Sequence, residues 1–220
     1  MRHTGAVRVV LHDVDRPALR LLLLGDSLAS GTGPARPSDA LGPRLTRVLA
    51  DDGFDVDLHV LAVPGAVSAG LADQVRRALP LSADLAVVVI GANDLARFVP
   101  AEQAATALAA AVTALRAAGT DVVVVPAPDM SMVPFVPPAL RMLVRGACAV
   151  LQQRQSQVAT TGGATVAAVA TEVARAFSAD PALFSADRFH PSSAGYARIA
   201  ELLAPAVLAA ARARRDDAAA

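Results

Sequence analysis

A serine, a histidine and an aspartate in this sequence have the types and spacing needed for nucleophilic catalysis. Ser27 follows an apolar run, Leu21 to Leu24, and the pair Gly25-Asp26. A serine hydroxyl is a weak nucleophile until a neighbouring base takes its proton. His190 is the one histidine after residue 60, and Asp187 lies three positions before it. One short loop can therefore present an imidazole with a carboxylate that orients it and stabilises its charged form.

Two further segments offer hydrogen-bond donors for the negatively charged oxygen that develops during acyl transfer. Pro64-Gly65-Ala66 and Gly91-Ala92-Asn93-Asp94 both follow apolar runs. The backbone N–H groups of Ser27 and Gly65 and the side-chain amide of Asn93 could point at one oxyanion. One such donor is typically worth about 100- to 1,000-fold in rate.

Each segment also has a purely structural interpretation. Ser27 can cap a helix, Gly65 can complete a turn after a proline, and Asn93-Asp94 can form an Asx turn. Asp187 and His190 can be a solvated pair in a loop. The catalytic interpretation rests on all four segments occurring in order at the ends of predicted strands.

The elements that must position these segments alternate along the chain. Short Val/Leu runs alternate with longer Ala-rich stretches, which predicts βαβ units and a parallel sheet covered by helices on both faces. In such sheets, sites lie beyond the carboxyl ends of the strands. Predicted strands cover 20–24, 55–63, 84–90, 121–125 and 164–169, and predicted helices cover 39–50, 68–79, 101–118, 138–160, 171–177 and 192–215. We predict one α/β domain over 1–220, with a possible extra edge strand within 1–18 (7–11) and a frayed tail over 216–220.

The composition restricts the class of protein. Twenty arginines, with no lysine, balance 20 acidic residues, so the formal net charge is zero and lacks the cationic excess of a nucleic-acid-binding surface. A hydrophobic content of 54% excludes a disordered chain. One cysteine, Cys148, excludes a disulfide framework and a cysteine-rich zinc site. The histidines show no metal-ligand spacing, so we expect no metal, no cofactor and no nucleic-acid partner.

Hydrophobic runs give the expectation for location. A signal peptide needs an apolar core of roughly 7 to 15 residues. A membrane-spanning helix needs about 20. The longest apolar run near the start of the chain, Leu21 to Leu24, is far shorter. We therefore predict a cytoplasmic protein without an integral membrane segment.

Apolar side chains in loops beyond the predicted strands could line an acyl pocket. Met130, Met132 and Phe135 lie in one such loop, and Phe98 and Phe189 lie beside the candidate segments. Because only 3% of the residues are aromatic, stacking platforms for sugars are nearly absent, and short to medium acyl chains are favoured. The same side chains could instead cover a sheet edge or form a homodimer contact.

The four segments together resemble the SGNH, or GDSL-type, hydrolase family. The resemblance rests on GDS at 25–27, on Gly65, on GxND at 91–94 and on DxxH at 187–190, and it extends from Leu21 to about Ala209. It implies a three-layer α/β/α fold with a flavodoxin-like parallel sheet in the strand order 2-1-3-4-5.

The resemblance also implies a role for each site residue. Ser27 corresponds to the nucleophile, His190 to the base and Asp187 to the residue that orients the base. The oxyanion hole corresponds to the N–H groups of Ser27 and Gly65 and the Asn93 side chain, with Asp26 and Asp94 supporting the backbone turns. Many members carry asparagine two residues before the glycine, and Val63 stands there in this chain. Any hydrogen bond that the asparagine makes is therefore lost or replaced.

The sequence thus predicts a metal-free serine esterase or acylhydrolase. Its substrate would be a small carboxylic ester with a short to medium acyl chain, cleaved through an acyl-enzyme. Two alternatives stay open. The same triad could transfer the acyl group to an alcohol or sugar, or the scaffold could be a catalytically silent binding module.

Overall fold

Five parallel strands form the centre of the structure, a computed structural model that describes residues 16–219. The strands are β1 Ala18–Gly25, β2 Asp55–Val60, β3 Leu85–Val89, β4 Asp121–Val125 and β5 Thr165–Val166. The helices are α1 Ser27–Ser30, α2 Leu41–Asp51, α3 Leu71–Ala78, α4 Ala92–Ala96, α5 Ala101–Ala117, α6 Arg141–Thr161, α7 Ala170–Ala179 and α8 Ser193–Ala219.

The strand order is β2-β1-β3-β4-β5, so the predicted order 2-1-3-4-5 is confirmed. Every neighbouring pair runs parallel. The register pairs Gly25 with Val89 and Val89 with Val125. The carboxyl ends of β1, β3 and β4 are therefore level, and the segments that follow them start from one edge of the sheet.

The apolar run of β1 is continuous because the sheet is covered on both faces. Leu21 and Leu23 belong to one core with side chains of α2 and α8. Leu22 and Leu24 belong to a second core with side chains of α3 and α5. Since successive side chains of a strand point to opposite faces, this alternation creates the predicted three-layer architecture.

Two glycines end strands where there is no room for a side chain. A Cβ on Gly25, at φ +131°, would lie 1.8 Å from the backbone oxygen of Val89. A Cβ on Gly91, at φ +132°, would lie 2.6 Å from the Cβ of Ala127. The glycines of the GDS and GxND segments are thus required by close packing at the carboxyl edge of the sheet.

Two buried glutamines satisfy backbone groups at the same edge. Gln74 of α3 accepts from the N–H of Gly25 at 2.7 Å and donates to its carbonyl at 2.8 Å. Gln155 of α6 accepts from the N–H of Ala127 at 2.7 Å and donates to the carbonyl of Ile90 at 2.9 Å. Buried backbone groups without partners are costly, so each glutamine lets a strand end without exposing its backbone to water.

The element boundaries differ from the predicted ones at several points. The second strand ends at Val60, and the fifth covers only two residues, because the chain leaves the sheet earlier than its apolar content predicts. The end predicted to fray is helical, since α8 runs through Ala219. The predicted strand at 7–11 lies outside the described residues.

Among the described residues, one helix is long and apolar enough, by composition, to cross a membrane. This helix is α8, whose Tyr196, Leu203 and Val207 are fully buried in the first core. Its apolar side chains therefore serve the packing of the sheet in this structure.

We expect Gln155→Leu to destabilise the protein by about 2–5 kcal/mol, because two buried backbone groups lose their partners at once. The matched control is Gln153→Leu, the same change at an exposed position of α6. That control should stay within about 0.5 kcal/mol of the parent protein. Urea denaturation of the three proteins measures the difference, and equal stability of the two variants would contradict the role given to Gln155.

Candidate active site

Ser27 starts a short helix just after the end of β1. The side chain of Asp26 caps that helix by accepting from the N–H of Leu28 at 3.0 Å. His190 approaches from the loop before α8, and its Nε2 lies 3.0 Å from Ser27 Oγ. The other ring nitrogen, Nδ1, lies 2.6 Å from an oxygen of Asp187. The structure therefore brings Ser27, His190 and Asp187 into one hydrogen-bonded chain.

The Asp187 carboxylate is fixed by its own loop. One oxygen accepts from the Ser185 hydroxyl at 2.7 Å and from the N–H groups of Phe189 and His190, both at 2.9 Å. Desolvation acts to raise the pKa of Asp187, but the hydrogen bonds from His190, Ser185 and the two N–H groups outweigh it. The pKa of Asp187 therefore lies well below its ordinary value, so the group is a carboxylate near neutral pH.

The loop that carries His190 is closed on itself and tied to α8. Ser185 donates its N–H to the His190 carbonyl at 2.7 Å, and Ser192 donates its N–H to Leu183 at 2.7 Å. Phe184 and Pro191 form an antiparallel bridge across the loop. These contacts set the direction of the imidazole before any substrate is bound.

The three candidate oxyanion donors have no hydrogen-bond acceptor within the described part of the chain. They are the backbone N–H groups of Ser27 and Gly65 and the side-chain amide of Asn93. Asn93 lies in the first turn of α4, directly after β3. Gly65 lies in the turn after β2 at φ +79°. Each donor thus comes from a different segment that follows a strand end, as the sequence predicts.

The turn that contains Gly65 is held by a contact from another segment, and the Val63 side chain takes no part in it. Arg97, at the end of α4, donates from Nη2 to the Gly65 carbonyl at 3.0 Å. The Gly65 turn is also closed by a bond from Ala66 N–H to the Val63 carbonyl at 3.0 Å. The peptide of Gly65 is therefore held through its carbonyl side, which leaves its N–H available.

Two buried carboxyl groups, those of Asp26 and Asp94, bind the segments that follow the strands. Both oxygens of Asp94 accept from the Ser68 N–H at 3.0 Å, and one accepts from the Ser68 hydroxyl at 3.0 Å. This joins the segment after β2 to the segment after β3. Burial raises the pKa of Asp26 to about 6, against a lowering by its bond from Leu28 N–H, and the nearby charge of Asp94 adds to the rise. Asp26 and Asp94 thus bind backbone groups of the turns at the ends of β1 and β2.

An apolar cavity of about 100 Å³ opens beside Ser27 and His190. Three of the predicted substrate-binding side chains line it, namely Met130, Met132 and Phe189. Phe135 lies outside the lining and stacks on Phe189 with ring centroids 5.7 Å apart. Phe98 does not line the cavity, and its side chain is 91% exposed.

Several residues that position the site were not predicted from the sequence. They are Ser68, Gln74, Arg97, Gln155, Ser185 and Tyr196, and all act on backbone or on another site residue. Tyr196, the one tyrosine of the chain, donates to the Thr32 carbonyl at 2.8 Å. Burial, with the charges of Asp26 and Asp187, raises the pKa of Tyr196, so its hydroxyl keeps the proton that it donates. Its uniqueness is the one signal in the sequence that could have marked it.

Within residues 16–219, no group of His, Cys, Asp and Glu side chains is arranged to hold a metal ion. The ionisable groups of the site pair with each other and with backbone N–H groups. The hydrogen-bonded chain of Asp187, His190 and Ser27 is an arrangement of the kind that activates a serine for acyl transfer.

The chain is similar to known esterases and acylhydrolases. The model of the GDSL-like Lipase/Acylhydrolase family matches residues 23–198. A GDSL-like esterase from Mycobacterium tuberculosis is 35% identical over 189 residues, which cover 84% of this chain and 60% of that protein. The chain therefore spans about three fifths of the length of this relative.

Solved structures share the fold at lower identity. LAE5, an alpha/beta hydrolase enzyme from the metagenome of Lake Arreo, Spain, is 19% identical with a TM-score of 0.72, over 87% of this chain and 96% of its own. Axe2, an acetylxylan esterase from Geobacillus stearothermophilus, is 17% identical with a TM-score of 0.69, over 87% and 95% of the two chains.

The family match runs from within β1 to within α8, so it contains all four of the segments that carry the predicted chemistry. The sheet order is the one that the resemblance implies. The predicted resemblance is thus confirmed, and the chain belongs to the GDSL-like lipase/acylhydrolase family, the SGNH hydrolases.

Proposed function

We propose that this protein hydrolyses carboxylic esters of small molecules, with Ser27 as nucleophile, His190 as general base and acid, and Asp187 orienting the histidine. The observation that carries the proposal is the hydrogen-bonded chain from Asp187 through His190 to Ser27, with distances of 2.6 and 3.0 Å. It lies at an apolar cavity, so an ester carbonyl can reach Ser27 while its acyl chain is buried.

In the first half of the reaction, Ser27 Oγ attacks the carbonyl carbon and its proton passes to His190 Nε2. The Asp187 carboxylate stabilises the imidazolium that forms. When the tetrahedral intermediate collapses, His190 returns the proton to the leaving alcohol oxygen, and the acyl group stays on Ser27. In the second half, water attacks this ester while His190 takes its proton, and the carboxylic acid and free Ser27 are released.

The oxyanion of both tetrahedral intermediates would be held by the N–H groups of Ser27 and Gly65 and by the Asn93 amide. These donors have no protein acceptor within the described residues, so they need not break a bond to receive the oxygen. Donors fixed in place before the reaction stabilise charge without reorganisation. Arg97 would keep the Gly65 donor in place by binding the carbonyl of that residue. Asp94 would keep the neighbouring Asn93 in place by binding Ser68.

The cavity supports a preference for short to medium acyl chains. Its lining includes Val173, Phe177 and Ile199, side chains that belong to the first core or pack against it. An acyl chain of a few carbons fills an apolar space of about 100 Å³. A longer chain would need movement of the loop that carries Met130 and Met132.

Ser27→Ala should lower kcat for p-nitrophenyl butyrate at least about 1,000-fold, because the nucleophile is lost. Ser30→Ala is the matched control, since Ser30 lies in the same short helix and its hydroxyl contacts only Ser27 O and Thr32 Oγ1. A fluorophosphonate probe should label the parent and Ser30→Ala proteins but not Ser27→Ala. Unchanged turnover in folded Ser27→Ala protein would refute the nucleophile, and an unlabelled parent protein would favour a silent binding module.

Asn93→Ala should lower kcat about 100- to 1,000-fold with little change in KM, because its amide acts on the charge that develops in the transition state. Since the amide has no protein partner within the described residues, the melting temperature should stay close to that of the parent protein. Steady-state kinetics and thermal unfolding test the two expectations together. A loss expressed in KM alone would instead place Asn93 in ground-state binding.

Asp26→Asn should become more stable than the parent protein as pH rises. The carboxyl pKa is raised from 3.8 to about 6 in the folded protein, so the folded state binds the proton more tightly than the unfolded state does. The parent protein therefore loses stability as the pH rises from the lower of these values to the higher, whereas asparagine does not titrate. The full change corresponds to roughly 3 kcal/mol, and asparagine can still accept from Leu28 N–H. Urea unfolding at pH 4 and pH 7 measures it.

The control for this prediction is Asp73→Asn, a change at an exposed aspartate of α3 that pairs with Arg76. The difference between this control and the parent protein should vary little over the same pH range. If Asp26→Asn and the control show parallel profiles, the raised pKa of Asp26 is refuted.

A further inference from the structure

The outer face of the first half of α6 is apolar and exposed. Met142 is 86% exposed and Leu143 is 72% exposed. Leu143, Ala147 and Val150 are spaced to share one helix face, while Cys148 and Leu151 are buried on the other. We call the set formed by Phe135, Leu140, Met142, Leu143, Ala147 and Val150 the apolar tip.

The apolar tip is confined to the end of α6 that is nearest the active site. Beyond Val150 the exposed side chains of α6 become polar, beginning with Gln153 and Arg154. At the other end the tip continues into the site, because Phe135 stacks on Phe189, whose ring lies 4.9 Å from that of His190. A partner that covers the tip therefore also reaches the mouth of the cavity.

The tip lies in a segment with positive charge. Residues 130–171 include Arg141, Arg145 and Arg154 and no aspartate or glutamate, although the whole chain has a net charge of zero. Arg145 pairs with Asp129 and Arg154 with Glu102, both outside the segment. Arg141, at the base of the tip, donates to the Val136 carbonyl at 3.3 Å and has no acidic partner among the described residues.

We propose that the apolar tip docks on an anionic lipid bilayer. Met142 and Leu143 would enter the boundary between headgroups and acyl chains, and Arg141 would contact lipid phosphates. Exposed apolar side chains beside an arginine that has no acidic partner among the described residues are suited to such a surface. An exposed apolar patch of this kind marks an interaction site rather than an ordinary surface.

A bilayer fits this surface better than a second copy of the chain. A two-fold contact through the tip would bury Arg141 of each copy against a facing surface in which 130–171 supplies no acidic residue to neutralise it. A protein seated on Phe135 would also cover the mouth of the cavity. On a lipid surface, the mouth of the cavity would face the bilayer, in which acyl esters dissolve. The connection between docking and ester hydrolysis rests on the proposed function.

The test is co-sedimentation with vesicles of phosphatidylcholine, alone or mixed with phosphatidylglycerol. The parent protein should bind the mixed vesicles, and the binding should weaken as salt is added. The double variant Met142→Ser/Leu143→Ser should lower the partition coefficient about tenfold or more. Arg141→Gln should lower it about fivefold.

The matched control is Leu79→Ser, at an exposed leucine after α3 and before β3, at the opposite end of the sheet from the site. This variant should bind vesicles like the parent protein. The tip variants should hydrolyse soluble p-nitrophenyl acetate at the parent rate, which shows that they fold. Equal binding to both kinds of vesicle, or to neither, overturns the proposal, as does a dimer in light scattering that the double variant abolishes.

Catalysis and docking are separated by the Ser27→Ala protein, which should bind the mixed vesicles as tightly as the parent. If it binds them but keeps its esterase activity, the proposed nucleophile is refuted and the docking surface stands. If the parent is an active esterase that ignores vesicles, the docking surface is refuted and the proposed function stands.

Discussion

The close approach of β1 and β3 at their carboxyl ends is the constraint on which the site depends. Gly25 pairs with Val89 in the sheet, and no side chain fits at Gly25 because the Val89 carbonyl occupies that space. The chain must leave β1 there, and Asp26 turns it at once into the helix that begins with Ser27. A bulkier residue at Gly25 would separate the strands and move the hydroxyl away from the donors that follow β3.

The partner of Ser27 comes from 163 residues further along the chain, so its position depends on how α8 is anchored. The first turns of α8 are bound to the segment that follows α1. Ser193 donates to Asp39 at 2.9 Å, its carbonyl accepts from Arg44 at 2.9 Å, and Tyr196 reaches the Thr32 carbonyl. These bonds join the segment after Ser27 to the segment after His190. The distance between Ser27 and His190 therefore depends on the packing of α8 as well as on the loop that holds the histidine.

Which features can be predicted from the sequence depends on how far apart along the chain the interacting residues lie. The strands and the order of the four segments could be predicted because apolar runs and glycines are local signals. The resemblance then supplied the strand order, which composition alone does not contain. Gln74, Gln155 and Ser68 could not be predicted, because each binds a group 26 to 65 positions away and looks like an ordinary polar residue of a helix or turn. Phe98 shows the opposite case: it is adjacent in sequence to the GxND segment, yet its ring points to solvent rather than to the cavity.

The contact between Arg97 and Gly65 links the segment after β2 to the segment after β3. The side chain of Val63, two residues before this glycine, has no hydrogen-bonding group to offer. The Gly65 turn has a positive φ and lies outside any strand, so its orientation needs an external contact. Arg97 supplies one from the end of α4, the helix that also carries Asn93. Two of the three proposed oxyanion donors thus depend on one short helix, because α4 presents the first directly and holds the second through its carbonyl. A movement of α4 would therefore displace both donors together, whereas Ser27 would keep its place at the end of β1.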